Sequence, residues 1–547
     1  MLAPNGGKNL AASLGDGDDM PFRLSPGQVH CLESELHSGR QRVLPRSRDP
    51  IGGLFFVVFS SPTFLFLFLP ITLLVYHAIP VASRWRNTWL LAASILFYLW
   101  GAGSAILAIL FVSLSSFGGA YIAWLILRRQ RRDAVPGGEA RKITIPSFIT
   151  LLIILVPLVA FKYLPQVATL EIPRVSSALT TLGANTWALP LGISFFTFHA
   201  LSFVIDSARA GRPLTTSFPS YLLYLFVFPH QIAGPIVRYS EIGAQITAVR
   251  RITVRQMGYG ITRFTWGLSK KVLIADNCGV VANAMFDNAA NPTLMSGTGA
   301  WLGAVAYALQ IYFDFSGYSD MAIGLAQMFG FRFPENFRSP YTAGNITDFW
   351  RRWHITLTTW FRDYVYIPLG GNRRGVWVEY GALLLVFLLT SLWHGALAGF
   401  LIWGGLHSLA LLFERVTGLR KVRSFVVLRR ALTLLFVIAA WVPFRALELH
   451  TSVDIWQAML GGPWDFMSPG LFATLTPFTI GALVVGALSF VMPAKRTGFQ
   501  TVFGQSEPGT LTAFRWKNAL VLVPLALVVT LAMVLHSDFS PFLYFQF

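Results

Sequence analysis

The sequence predicts an all-α, polytopic helical membrane protein, and its composition and its pattern of apolar runs both support that prediction. Charged residues make up 12% of the 547 positions and hydrophobic residues 54%, whereas soluble domains carry about 25% charged residues. Several apolar runs reach about 18 residues or more, the length that a helix needs to cross a bilayer. A membrane barrel would show short segments of alternating hydrophobicity instead.

The N-terminal segment, residues 1–53, differs from the rest of the chain. It is rich in Gly, Asp, Ser, Arg and Pro and shows no hydrophobic periodicity, which predicts a disordered polar extension. No signal peptide is evident, since the first long apolar run begins only near Leu54 and no cleavage-like site follows it. We expect residues 54–547 to form one transmembrane domain, and we expect the extension to be an artefact of the gene model, with a valine near position 57 as the true start.

Basic loops give the first helices an orientation. The loops at 83–86 and 128–132 enclose two apolar runs, at 87–100 and 104–127, and the first loop follows an earlier apolar run at 54–81. Because cytoplasmic loops are enriched in Lys and Arg, we expect both loops in the cytoplasm, with two crossings between them. The net charge of +18 has the same explanation, so the sequence does not indicate nucleic-acid binding.

Further apolar runs predict the remaining membrane-spanning helices. Several of them are short or contain Pro and Gly, as re-entrant segments do. We expect about ten to twelve crossings in total, together with re-entrant and interfacial helices, with boundaries that are uncertain by a few residues. The runs lie at 145–164, 187–205, 221–237, 300–329, 376–393, 397–413, 431–444, 471–491 and 519–536.

Charged residues, Trp and His crowd together between Glu335 and His407 in an otherwise apolar chain. Polar residues inside a membrane protein are costly to keep and indicate a functional site by default. His394 ends an apolar run beside Gly395, where its imidazole is suited to take a proton from an alcohol. The alternative is an interfacial histidine that bonds to a carbonyl group.

The segment around His354 has the pattern of a helix. Asn345 and Asp348 have the spacing of a capped helix N-terminus. On one continuous helix, Trp350, His354 and Phe361 share a face. An amphipathic helix at the membrane interface is the alternative interpretation.

Two acidic residues, Asp314 and Asp320, interrupt the apolar run at 300–329. Buried acids must be paired or hydrated. We expect structural pairing with the nearby arginine residues, and the alternative is that they line a reaction cavity.

The stretch from Glu335 to His407 and several segments outside it resemble the membrane-bound O-acyltransferase family. The resemblance is strongest to the branch of the alginate O-acetyltransferase membrane subunit. The segments that carry the resemblance are Ser60–Pro70, Phe313–Asp320, Glu335–Tyr341, Asp348–His354, Tyr366–Arg373, Trp393–Ala396 and Phe542–Phe547. The resemblance implies that His394 is the general base and that His354 is the second polar residue of the site. It also implies a central funnel, and we expect a polar cavity that holds both imidazoles.

The resemblance further implies an activity. The expected function is transfer of an acetyl group from cytoplasmic acetyl-CoA towards hydroxyls of an exported polysaccharide, in the bacterial inner membrane, with a periplasmic acetyltransferase partner protein. Arg351, Arg352 and Arg338 are candidates for binding the phosphates of the acyl-CoA, since guanidinium groups bind phosphate bidentately. Their alternative role is to set topology. We expect neither a resident cofactor nor a metal site, since no metal-binding spacing is present.

Two other functions compete with this one. A D-alanyl-type acyltransferase for a cell-wall polymer would use closely similar chemistry. A polysaccharide or ion transporter would also show broken helices and polar residues inside the membrane. No Gly-x-Ser-x-Gly elbow is present, so the sequence does not suggest a covalent serine intermediate.

Overall fold

The computed structural model describes residues 58–131, 144–168, 189–289, 294–422, 424–464, 467–504 and 514–536. The predicted N-terminal extension, residues 1–53, lies outside these residues. Within them the regular structure is helical and contains no strand, so the predicted all-α class is confirmed.

The α-helices are numbered here in chain order, and most of the predicted apolar runs coincide with one of them. They are α1 Leu69–Ala78, α2 Trp85–Ala102, α3 Ile106–Arg131, α4 Ile145–Ala168, α5 Ile193–Ala210, α6 Phe218–Phe226, α7 Phe228–Gln231, α8 Tyr239–Thr247, α9 Val254–Ser269, α10 Asp276–Asn288, α11 Gly297–Met328, α12 Ile346–Trp350, α13 Ile355–Phe361, α14 Val376–His394, α15 Ala398–Val416, α16 Val426–Ala446, α17 Leu449–Gly461, α18 Pro469–Ala473, α19 Pro477–Ala487, α20 Gly498–Phe503 and α21 Trp516–His536.

Wider and tighter helical turns connect several of these helices. Wider π-helical turns occur at Phe64–Phe68, Lys270–Ala275 and Arg362–Tyr366. Such turns are uncommon and often lie at functional sites. The 3₁₀ segments are Gly103–Ala105, Pro340–Thr342, Gly371–Arg373, Leu419–Lys421 and Leu488–Phe490.

Five stretches of the described residues are long and apolar enough to cross a membrane. They are 85–129, which contains α2 and α3, and 145–167, 376–394, 426–446 and 516–536. Two shorter apolar helical stretches lie at 64–78 and 477–490. The predicted runs at 221–237 and 471–491 are each divided into short helices, since proline interrupts both of them. The total of about ten to twelve crossings remains a prediction.

The long helix α11 lies at the centre of the fold, where it packs against α9, α10, α16 and α17. Its contact with α9 is close because glycines face one another. A Cβ atom on Gly267 would lie 2.4 Å from the carbonyl oxygen of Gly317, and one on Gly324 would lie 2.6 Å from the Phe264 nitrogen. Small residues allow the helix backbones of membrane proteins to approach in this way.

Buried ion pairs join α11 to the end of α9 and the π-helical turn that follows it. Asp320 lies 2.5 Å from Arg263 and 2.9 Å from Lys270. Asp314 lies 3.0 Å from Lys271. Both acids are therefore paired with basic residues, but the prediction of arginine partners holds only for Asp320 with Arg263, since the other partners are lysines.

The charged ends of α14, α15 and α16 define an orientation. Arg373 and Arg374 precede α14, Arg415 lies in the last turn of α15, and Arg429 lies in the first turns of α16. An ion pair between Arg415 and Glu379 ties the end of α15 to the start of α14. By the positive-inside rule these ends lie at the cytoplasmic face, which we call the basic face. The connection from α14 to α15 lies at the opposite ends of these helices.

Candidate active site

His394 is the last residue of α14 and is buried among aromatic rings. Its ring centroid lies 4.8 Å from that of Phe444, 5.3 Å from Trp403 and 5.8 Å from Phe400. Gly395 ends the helix, and a Cβ atom at that position would lie 2.8 Å from the Phe400 ring. The glycine therefore lets the aromatic ring approach the end of the helix that carries His394.

His354 lies between two short helices and does not lie on one continuous helix. The Asn345 side chain caps α12 by accepting from the Asp348 backbone N–H at 2.7 Å, as predicted. However, α12 ends at Trp350, and His354 is the N-cap of α13 with φ 42°. The prediction that Trp350, His354 and Phe361 share one helical face is therefore wrong, because this left-handed residue turns the chain between α12 and α13.

The side chain of Asn336 determines how His354 is held. Its Oδ1 lies 3.0 Å from His354 Nδ1 and accepts from the Thr356 hydroxyl at 2.9 Å. Its Nδ2 donates to Ser319 Oγ at 3.1 Å, which fixes the orientation of the amide. The proton of His354 is therefore assigned to Nδ1, and Nε2 carries the lone pair.

The Nε2 atom of His354 is free to accept a hydrogen bond. It is buried and has no hydrogen-bond partner among the described residues. Burial lowers the pKa of His354 to about 3, so the ring is neutral at physiological pH. A neutral ring with a fixed tautomer presents one basic nitrogen to any group that comes beside it.

A small cavity brings the two histidines together. His354 and His394 both line it, and its other wall residues include Thr390, Trp353, Trp403, Trp441, Phe444 and Ile311. Its volume of about 10 Å³ is room for one water-sized group. The expectation of a shared cavity is met, but its walls are mainly aromatic where the sequence had predicted a polar lining.

A larger cavity of about 480 Å³ adjoins the small one, and Trp350, Leu357 and Thr390 line both. Three arginines lie in its wall, namely Arg351, Arg362 and Arg415. The Arg415 contact with Glu379 places this cavity towards the basic face. Of the three predicted phosphate-binding arginines, the structure therefore brings one, Arg351, to a cavity.

The other two predicted arginines have different surroundings. Arg352 donates from Nε to Asp348 at 2.8 Å, and its Nη1 donates to the carbonyl of Ala494. Arg338 is exposed, and its backbone N–H donates to the Arg352 carbonyl. Neither side chain lines the three cavities described here. In the sequence, Arg362 and Arg415 have the pattern of ordinary loop cations, so no local signal separates them from topology-setting residues.

A third cavity, of about 70 Å³, lies against His394 as well. Its wall contains Lys162, the segment Leu189–Phe195, Ile232 and Trp393. His394 thus lines both this cavity and the small cavity that it shares with His354. The three cavities form a row in which neighbours share wall residues, with the two histidines between the large cavity and the third one.

Other buried histidines stand outside this row. His407 Nδ1 accepts from the Trp350 indole at 3.3 Å and so supports a wall residue of two cavities. His230 lies in the short helix α7, and its Nε2 is 2.8 Å from the Tyr224 carbonyl oxygen. Its ring centroid lies 4.5 Å from that of His199. Contacts within the protein therefore account for one ring nitrogen of His407 and one of His230.

Comparisons with known proteins show which proteins the sequence resembles. Residues 122–444 match the family model described as MBOAT, membrane-bound O-acyltransferase family. A Pseudomonas putida protein named probable alginate O-acetylase AlgI is 39% identical over 509 residues, which cover 90% of this chain and 100% of the relative. A Helicobacter pylori peptidoglycan O-acetyltransferase is 35% identical, covering 75% of this chain and 80% of the relative. A Bacillus subtilis teichoic acid D-alanyltransferase is 32% identical over 40% of this chain and 57% of the relative.

Proposed function

Since the chain belongs to the membrane-bound O-acyltransferase family, we propose that it moves an acetyl group from cytoplasmic acetyl-CoA towards hydroxyls of an exported, alginate-type polysaccharide. The relatives named alginate O-acetylase, which align with 90% of this chain, support the acetyl group and the polymer. The observation that carries the proposal is the row of three cavities with His354 and His394 in its middle.

The large cavity is the proposed donor site. Guanidinium groups bind phosphate oxygens bidentately, and the three arginines of its wall present such groups near the basic face. The Arg351 side chain has no hydrogen-bond or ion-pair partner among the described residues, so it is available for a ligand. The volume of about 480 Å³ falls within the usual range of ligand pockets. The coenzyme would enter from the cytoplasm, where it is made.

The small cavity is the proposed position of the terminal methyl group of the acyl chain. Four bulky rings (Trp353, Trp403, Trp441 and Phe444) leave it with room for one water-sized group. An acetyl group is the smallest common acyl group carried by coenzyme A. The narrow aromatic wall therefore favours acetyl over longer chains, whose extra methylene groups would clash with well-packed rings.

The two histidines supply the proposed chemistry. The acceptor oxygen attacks the thioester carbonyl carbon while His394 takes the hydroxyl proton, and the carbon–sulfur bond breaks as the coenzyme A thiolate leaves. The thiolate then receives the proton from the imidazolium. General-base help of this kind is worth about 10²–10⁴ in rate. The attacking hydroxyl gives its single proton to His394, so His354 Nε2, the free acceptor, binds a different hydrogen-bond donor of the bound substrates.

The third cavity is the proposed approach of the acceptor, because it lies against His394 beyond the donor side. A periplasmic partner protein completes transfer to the polymer in this proposal, and the resemblance to the alginate-type branch supports that step. The D-alanyl alternative rests on a relative that aligns with 40% of this chain. The broader coverage of the O-acetylase relatives favours acetyl transfer.

The test offers both donors to membranes that contain the protein. Labelled acetyl-CoA and a labelled D-alanyl thioester are supplied in parallel, and release of free thiol and label on added alginate are measured with and without periplasmic extract. Membranes that carry His394→Ala at equal abundance are the control. We expect protein-dependent consumption of acetyl-CoA. Incorporation of D-alanine alone, or consumption of neither donor, would contradict the proposal.

A further inference from the structure

The helix α4, to which the sequence analysis assigned no functional role, contacts the last turn of the helix that carries His394. The Tyr163 hydroxyl donates to the Leu392 carbonyl at 2.5 Å, and the Lys162 ammonium donates to the carbonyl of Trp393. Gln166 Oε1 accepts from the Ala396 backbone N–H at 3.3 Å. Three side chains from two consecutive turns of α4 thus bind the backbone on both sides of His394.

These contacts satisfy backbone carbonyl groups at the end of α14 that have no partner within the helix. The last carbonyl groups of a helix have no partner within it, and unsatisfied groups are costly in a membrane. At the end of α14 the Ser391 carbonyl accepts from the Gly395 N–H, but the next two carbonyls accept from α4. The peptide units that set the direction of the His394 side chain are therefore held by a neighbouring helix.

We propose that Lys162 and Tyr163 are positioning residues that cap the last turn of α14 and so aim the His394 imidazole at the space between the small cavity and the third cavity. This inference rests on the proposed role of His394 and adds the residues that place it. His394 ends its helix beside a glycine, so its backbone has no further helical turn to hold it. The cap from α4 takes the place of that turn.

The presence of a lysine at position 162 indicates a role beyond packing of the helix. It is 6% exposed, and no carboxylate among the described residues pairs with it. A buried amine inside a membrane protein is costly, whereas an apolar residue would pack in the same place at no such cost. Lys162 also lines the third cavity together with His394. Its position combines a cap on the catalytic helix with a wall of the proposed acceptor route.

The main test is Tyr163→Phe, which removes one hydroxyl and keeps the ring, and Lys162→Met, which removes the amine and keeps the stem length. Tyr76→Phe is the matched control, because the Tyr76 hydroxyl also donates to a carbonyl at a helix end, that of Phe329 just after α11, at 2.9 Å, and neither residue lines the three cavities. We measure kcat, KM for acetyl-CoA and melting temperature for each purified variant.

We expect kcat to fall about ten- to a hundredfold in the two α4 variants, since small misplacement of a catalytic group has effects of this size. KM for acetyl-CoA should stay within about twofold, because neither residue lines the donor cavity. The control should match the α4 variants in melting temperature and keep the wild-type kcat.

A second measurement distinguishes the positioning role of Tyr163 from the proposed base role of His394. In a His394→Ala background, adding Tyr163→Phe should cause no further loss, since a residue that acts through His394 has nothing left to place. A wild-type kcat in Tyr163→Phe, with His394→Ala inactive, would overturn the positioning role alone. Full activity of His394→Ala would overturn the base role itself. If Lys162→Met lowers abundance, Tyr163→Phe decides the outcome.

Discussion

Two regions of this membrane protein bury several polar side chains. The first region pairs them with opposite charges, and the second surrounds them with aromatic rings. Between α9 and α11, the carboxylates of Asp314 and Asp320 lie within 3.0 Å of arginine or lysine nitrogens, so opposite charges meet. Around the small cavity, His354 and His394 lie among tryptophan and phenylalanine rings. There His354 presents a basic nitrogen that has no partner in the described part of the chain.

The difference separates polar groups that hold the fold from a polar group, His354, that keeps an unused acceptor. A fully paired network makes a rigid joint, and removing one partner leaves an uncompensated charge. A neutral histidine that has one hydrogen-bonded nitrogen and one unpaired nitrogen, and that lines a cavity, can still accept a hydrogen bond or a proton. Burial of a polar residue in a membrane protein is thus a weaker sign of function than an unused acceptor beside a cavity. The following variants test that distinction.

The largest expected effect is that of His394→Ala on catalysis. Without a base, attack of a hydroxyl on a thioester slows by about 10²–10⁴. Labelled acetyl transfer is measured, with membrane abundance and melting temperature as controls, because a residue at a helix end beside glycine should cost little stability. A protein of normal abundance that acetylates within about tenfold of wild type would rule out the base role.

A substitution in the ion-pair region should lower the stability of the protein and leave its catalytic rate unchanged. Asp320→Asn leaves Lys270 without its carboxylate partner, whereas Arg263 keeps its pair with Glu335, and a broken buried pair costs about 3–5 kcal/mol. We expect lower abundance and melting temperature, with an unchanged kcat for the folded fraction. Asp287→Asn, at an exposed acid of α10, is the control and should change neither. A loss of kcat at normal stability would show that Asp320 acts in catalysis and does not mainly stabilise the fold.

The link between Asn336 and His354 gives a pH-dependent test. Asn336→Asp places a carboxylate beside the imidazole and raises the pKa of His354, which burial holds at about 3 in the wild type. The protonated ring can no longer accept a hydrogen bond, so kcat should fall about tenfold or more near pH 6 and recover as the pH rises. A pH profile that keeps the wild-type shape would show that the neutral form of His354 is not required.

The smallest expected effect separates two neighbouring arginines. Arg351→Ala should raise KM for acetyl-CoA about three- to tenfold, because its side chain lines the proposed donor cavity. Arg352→Ala is the matched control, since its side chain binds Asp348 and the Ala494 carbonyl, and it should lower the melting temperature without changing KM. The reverse pattern would place the phosphates on Arg352.

The sequence by itself determined the class of this protein and the stretch that we propose carries its chemistry. Hydrophobic runs report burial in lipid locally, so α2, α3, α4, α14 and α21 lie within a few residues of the predicted runs. The crowding of Trp, His and Arg between residues 335 and 407 led to His354, His394 and Arg351, and all three line cavities of the row.

Only the tertiary structure decided how those residues are used. The turn at His354 depends on Asn336, which lies 18 positions away, and the cap on α14 comes from Lys162, which lies 231 positions from its partner Trp393. Arg352 has the same local pattern as Arg351, yet a contact with residue 494 gives it a structural partner. Periodicity and composition describe neighbours along the chain, whereas the partner of a buried polar group is set by packing between distant helices.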